Sequence, residues 1–235
     1  MCILSVKRNT DSVDLVFARD EQKCRKYLDY GCYWQGSHKV YGYLDQEKGG
    51  TWLANNESLF ACILNQECHY KNEAISTRGR IITDLLSECD SISIIRSYCA
   101  SYNFAAFMPF NLIIIDKKTN VICIRNSYSN GVTSCVISDI NLPFFMVNRS
   151  SINDFSQRRI SDNYSTMNSY LGRGVLNNSL LCDYLLNNES FCETENDEKT
   201  IKLNARDWKT QVISLVHINS LSIDVKTLYS SLKDS

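Results

Sequence analysis

Cys2 stands directly after Met1. Met1 is generally removed when a small residue follows it, and its removal leaves a chain that begins with cysteine. Such a residue carries a nucleophile and a base together, a thiol and an α-amine that titrates near ~7.7–8.0. The amine takes the thiol proton directly or through one water, the economy also used by N-terminal threonine. No separate histidine is needed, which suits a chain whose three histidines, His38, His69 and His217, are scattered. The chemistry in prospect is nucleophilic acyl transfer.

Two β-rich segments are placed to hold that thiol. Residues Cys2 to Lys7 and Val13 to Ala18 flank Asn9-Thr10-Asp11-Ser12, a hairpin signal. A turn there makes opposite positions sum to about 21, so Cys2 faces Arg19 with Asp20 next along, and facing Cβ atoms lie roughly 4.5–5.5 Å apart. A guanidinium at that range favours thiolate. A carboxylate there would hold the amine as ammonium or orient it.

The rest of the chain bounds the setting. Its 235 residues, 44% hydrophobic and 22% charged, fit one domain, 1–235, with a full core. A net charge of -1 gives no footprint for nucleic acid or an anionic membrane. The first residues hold too short an apolar run for a signal peptide or a membrane span. Eleven cysteines cannot all pair within one chain, and they are expected to be reduced, mostly core residues in the cytoplasm. The absence of Cys-x-x-Cys and His-Glu-x-x-His spacings argues against a metal site.

Strand-like runs occupy Thr51 to Phe60 and Ala61 to Asn65, after the turn Lys48-Gly49-Gly50. Ile81, Ile82, Leu85 and Leu86 share a helical face, with Ser76-Thr77 as caps, and Ile92, Ile95, Cys99 and Tyr102 share another after Ser91. Phe110 to Ile115 and Val121 to Arg125 form a strand pair around Asp116 to Asn120. Val132 to Ile137 and Leu142 to Val147 continue the β pattern. A helix is predicted within Asn168 to Asn188, an exposed acidic loop at Glu193 to Glu198, and a closing hairpin at Gln211 to Ile218 and Leu221 to Val225. This order is α+β or layered α/β, not doubly wound.

Several of these residues carry a resemblance. Cys2 with Phe17-Ala18-Arg19-Asp20-Glu21 resembles the N-terminal cysteine and the Asn-Arg-Asp-Glu signature of the NRDE family, also called the transport and Golgi organisation 2 family, with Ala18 in place of Asn. Gly49-Gly50-Thr51-Trp52-Leu53 resembles its Gly-Gly-Thr-Trp-Leu-Gly, with Ala54 last. Leu64-Asn65-Gln66-Glu67 resembles Thr-Asn-x-Arg without the Arg. Ser76-Thr77-Arg78-Gly79 resembles Ser-Arg-Gly with one residue inserted. Phe110-Asn111-Leu112 through Asp116, Val147-Asn148 and Ala205-Arg206 resemble the family's Phe-Asn-Leu strand, its Ser-Asn step and its late Thr-Arg element.

The resemblance implies the four-layer αββα sandwich of the N-terminal nucleophile hydrolases. By analogy with the cysteine amidases of that class, Cys2 is the nucleophile, Arg19 tunes its thiolate and Asp20 orients the amine. Asn65 and Asn148 are the candidate oxyanion donors, and Arg206 a supporting cation. Three functions follow from it. One is hydrolysis of a non-peptide C–N bond through a Cys2 thioester, on a small molecule and without a cofactor. The second is a binding or transport role, since family members have been linked to haem handling and membrane trafficking. Haem would take a Cys or His as axial ligand. The third is an interaction protein with a degenerate site.

Overall fold

In the computed structural model the chain opens as a hairpin. β1 (Ile3–Arg8) pairs antiparallel with β2 (Ser12–Gln22), Ile3 facing Ala18 and Arg8 facing Val13. The Asn9 N–H closes the turn on the Ser12 carbonyl at 2.8 Å. The register is the one expected from the turn residues, with opposite positions summing to 21. The structure describes residues 2–66, 76–129, 132–171, 174–187, 189–192, 202–205 and 207–231. They divide into two compact units, one of Met1–Arg25 with Asn141–Ser235, the other of Lys26–Ile140.

The second unit is a seven-stranded antiparallel meander. Its strands are β3 (Tyr27–Gln35), β4 (Lys39–Asp45), β5 (Leu53–Asn55), β6 (Leu59–Asn65), β7 (Phe110–Asp116), β8 (Val121–Ser129) and β9 (Val132–Asp139), paired in that order. β6 and β7 are the continuous apolar runs of the sequence, and both are buried almost throughout. The edge strand β9 leaves Val132 and Val136 exposed. Between β6 and β7 come α1 (Gly79–Glu88) and α2 (Ile92–Cys99). α1 buries Ile81, Ile82, Leu85 and Leu86. Its N-cap is Arg78 and makes no side-chain cap bond, so Ser76-Thr77 do not cap it. Ser91 does cap α2, accepting from the Ile94 N–H.

The glycines around Thr51 have two different reasons. Gly49 adopts φ 71°, as a tight turn requires. Gly50 and Gly79 instead let two backbones touch. A Cβ on Gly50 would lie 2.6 Å from the Gly79 carbonyl carbon, and one on Gly79 2.6 Å from the Thr51 oxygen. Trp52 is a core residue, stacked on Tyr43 with ring centroids 5.1 Å apart. The β3–β4 hairpin was not foreseen, because register shifts at Leu28/Gly31 and Cys32/Trp34 destroy its alternation.

The first unit resumes at β10 (Phe144–Val147), which pairs with β1. α3 (Arg158–Ser161), α4 (Tyr164–Leu171) and α5 (Ser179–Asn187) follow. The helical stretch expected within Asn168–Asn188 is α5, preceded by the end of α4, and between the two Gly174 has φ 82°. Then come β11 (Glu189–Cys192), β12 (Lys202–Ala205), β13 (Trp208–Asn219) and β14 (Ile223–Ser230). The sheet runs β10-β1-β2-β13-β12-β11, with β14 also paired to β13 and β11 parallel to β12. Helical residues Ile160, Met167, Leu171, Leu181 and Leu185 pack on Ile3, Val16, Ala18, Val147, Ile213 and Leu215. The expected acidic loop at Glu193 to Glu198 lies outside the described residues. Among the described residues no helix is long and apolar enough to cross a membrane.

Candidate functional site

The β1–β2 register decides where the chemistry-bearing residues stand. Ile3 faces Ala18, so Cys2 falls opposite Arg19. Side chains alternate along a strand. Ile3, Val16 and Ala18 lie in the core under the helices, so Asp20 shares their face, while Cys2 and Arg19 share the other.

On the helix side the Asp20 carboxylate is 2% exposed and fully engaged. Arg159 of α3, itself 1% exposed, donates from Nη1 to Oδ2 at 2.5 Å, and the Thr210 hydroxyl donates to Oδ1 at 2.6 Å. Burial alone would raise the Asp20 pKa. The Arg159 charge outweighs it, with help from the amino-terminal charge and the two hydrogen bonds, and holds the carboxyl below its usual range. Arg159 is held in turn: Asn163 Nδ2 donates to its carbonyl at 2.9 Å, and the Tyr184 hydroxyl donates to Asn163 Oδ1.

On the other face Arg19 is also buried. Its guanidinium donates to Gln211 Oε1 and, at 3.4 Å, to Glu21 Oε2. Gln211 is where the pairing of β13 with β2 slips by a residue, between Thr210 opposite Asp20 and Val212 opposite Arg19. Thr210, opposite Asp20, serves that carboxylate, and Gln211, the extra residue at the bulge, serves Arg19. Gln211 Nε2 donates to the Gln22 and Arg25 carbonyls, each at 2.9 Å, which fixes its amide.

Cys2 is 9% exposed, and its Sγ donates to the Asp20 carbonyl at 3.7 Å. Burial pushes the thiol pKa up. The amino-terminal charge opposes this, the Asp20 carboxylate adds to it, and Arg19 and the carbonyl bond oppose it more weakly. The balance lies with the thiol, so Arg19 does not by itself make a thiolate. The Cys2 carbonyl accepts from the Asn148 N–H at 3.1 Å. Asn148 sits in a tight turn closed by the Ser150 N–H on the Val147 carbonyl, with Arg149 at φ 67°. The Ser150 hydroxyl donates to the same carbonyl.

Of the residues singled out in the sequence, Cys2, Arg19, Asp20 and Asn148 are thus brought together in the first unit. Asn65 ends β6 in the second unit. Arg206 lies outside the described residues, and the cation found at Asp20 is Arg159. Arg159, Thr210 and Gln211 were not anticipated. The one signal for Arg159 was an arginine next to Ile160 in a segment with buried apolar residues.

The family model for transport and Golgi organisation 2 matches residues 1–221. The chain belongs to that family. The match runs from the Cys2 hairpin through β13, and so takes in both units. Among curated proteins none matches the sequence. Among solved structures, the chain is similar to an arginine-to-leucine variant of conjugated bile acid hydrolase from Clostridium perfringens, with a TM-score of 0.52 and 11% identity over 97% of this chain and 92% of that one. The likeness shows the fold of this family member, an α+β architecture of N-terminal nucleophile hydrolase type.

Proposed function

We propose that this member of the family is a cysteine hydrolase that cleaves a non-peptide C–N bond in a small molecule, with Cys2 as nucleophile once Met1 is removed. The observation that supports this reading is the placement of Cys2 at the end of β1, its Sγ on the Asp20 carbonyl and its position opposite Arg19, beside a carboxylate and a guanidinium that are each buried and locked by their own partners. Such fixed charges cost no reorganisation during a reaction. Removal of Met1 puts a free amine on Cys2, next to the thiol whose proton burial retains. The amine takes that proton as sulfur attacks the amide carbonyl carbon. It then passes the proton to the leaving nitrogen as the C–N bond breaks, leaving a thioester on Cys2. Water adds to the thioester, releases the carboxylic acid and restores the thiol. Asp20, held ionised by Arg159 and Thr210, keeps the amine oriented. Asn148, pinned beside Cys2, supplies an oxyanion donor, and in such sites losing one donor lowers kcat by roughly 10²–10³-fold. No cofactor takes part.

The test pairs intact mass with an amide panel headed by conjugated bile acids, the compounds named for the solved neighbour. The expected results are a protein lacking Met1, amine release from one amide class, and loss of that release in Cys2→Ala. Amine release unchanged in Cys2→Ala, or Met1 retained in purified protein, would sink the reading.

A further inference from the structure

The second unit carries a feature that the Cys2 chemistry does not use. A cleft of about 620 Å³ opens between the C-terminal end of β3 and the outer sides of α1 and α2. That is the size range of small-molecule pockets. Two kinds of wall face it.

The first wall is aromatic. Tyr33 and Trp34 form a corner, with ring centroids 5.7 Å apart and planes at 76°. Their polar edges are already engaged within the chain. The Trp34 indole N–H donates to the Gly49 carbonyl at 3.2 Å and the Tyr33 hydroxyl to the Asp29 carbonyl at 2.7 Å. What the corner offers a ligand is therefore π surface, held in a fixed orientation.

The second wall is anionic. Asp84 is engaged by the Tyr102 hydroxyl at 2.7 Å and by Arg80 at 3.6 Å. Glu88 accepts from the Ser37 hydroxyl at 3.2 Å, and among the described residues no cation pairs with it. It is the last residue of α1, at the negative end of the helix dipole, and that helix has no basic residue in its last turn. A carboxylate placed there is destabilised unless a positive charge joins it. The backbone leaves it room: a Cβ on Gly36 would lie 2.7 Å from Glu88 Oε1. The ionised residues lining the cleft, Arg80, Asp84 and Glu88, sum to a negative charge.

We propose that this cleft binds a small organic cation bearing a methylated ammonium group, seated between the Glu88 carboxylate and the Tyr33–Trp34 corner. Methylated ammonium is the cation that π faces recognise best, because it is weakly hydrated and needs no hydrogen-bond acceptors. A metal ion or a bare ammonium would use the oxygens of the anionic wall alone, whereas a methylated ammonium uses both walls.

Titration of the full chain with choline chloride tests the proposal, following the Trp34 indole N–H resonance. Saturable shifts with a Kd of about a millimolar are expected. The neutral isostere 3,3-dimethylbutan-1-ol should bind about tenfold more weakly or not at all. Glu88→Gln and Trp34→Leu should each weaken choline binding by about tenfold. Far-UV circular dichroism checks that both variants are folded. No saturable shift with choline, equal binding of the neutral isostere, or full affinity in Glu88→Gln would each overturn the proposal.

Discussion

β2 in one sheet and β7 in the other are both buried along most of their length, yet they are made differently. β7 is apolar but for Asn111 until it ends at Asp116. β2 buries Asp14, Arg19 and Asp20 among its apolar residues. Each of those charges has partners drawn from elsewhere in the unit. Asp14 accepts from Asn9 Nδ2 at 2.7 Å and lies 2.6 Å from His217 Nδ1. Arg19 has Gln211 and Glu21, and Asp20 has Arg159 and Thr210. The difference is instructive. An apolar strand gains stability from burial and tolerates changes in its neighbours' geometry. A strand with buried charges keeps its stability only while each partner is in place, which ties the fold of the first unit to the arrangement around Cys2.

Arg159→Met should therefore have the largest effect on stability, about 3–5 kcal/mol at neutral pH, because Asp20 is left buried without its cation. Its sign with pH follows from the direction of the Asp20 shift. In the native chain that pKa lies below its ordinary value of 3.8. The stabilisation is complete above that value and is lost as pH falls through the lower folded value. Without Arg159, burial dominates and Asp20 takes up its proton more readily folded than unfolded. The deficit measured by urea unfolding should shrink on acidification toward about pH 4. Ile114→Ala in β7 should cost about 2–5 kcal/mol with no such pH dependence. Equal deficits for Arg159→Met at both pH values would erase the contrast between the strands.

How much of this was legible in the sequence follows the same division. The β1–β2 register was, because a polar turn at Asn9 to Ser12 between two β-rich runs makes opposite positions sum to about 21, as Ile3 with Ala18 and Arg8 with Val13 do. β6 and β7 were, as continuous apolar runs. The partners of the charges were not. Arg159 lies in a four-residue helix, too short to show a period. Gln211 sits in a bulge, which by its nature breaks the pattern used to find strands. The aromatic corner at Tyr33 and Trp34 was hidden for the same reason, by the register shifts of β3.

Gln211→Leu probes the bulge directly. It removes the acceptor for Arg19 and the donor to two carbonyls, and a loss of about 1–3 kcal/mol is expected in thermal or urea unfolding. A variant as stable as the parent would mean that the bulge does not hold Arg19.

The thiol itself gives a smaller effect. With Met1 retained, Cys2 should alkylate with a pH midpoint above the ordinary thiol value of 9.0, since burial raises it. With Met1 removed, its rate should gain a limb near the amine pKa of ~7.7–8.0. Peptide mapping after timed labelling separates Cys2 from the other cysteines. A single profile for both forms would detach the amine from the thiol.

The smallest effect lies in two turns, one per unit. Thr119 and Arg149 both sit at positive φ, 65° and 67°, where a Cβ costs about 1–2 kcal/mol. Thr119→Gly should relieve that strain, less the greater freedom glycine gives the unfolded chain, for a net gain of up to about 1 kcal/mol. The Asp116–Asn120 turn touches no proposed chemistry, so amide hydrolysis should be unchanged. Arg149→Gly relieves the same strain but loosens the turn that sets Asn148 against Cys2. It should lower kcat while leaving stability level or slightly higher. If both glycine variants behave alike in the amide assay, left-handed backbone at Arg149 is only a feature of the turn, and the bond from the Asn148 N–H to the Cys2 carbonyl holds Asn148 without it.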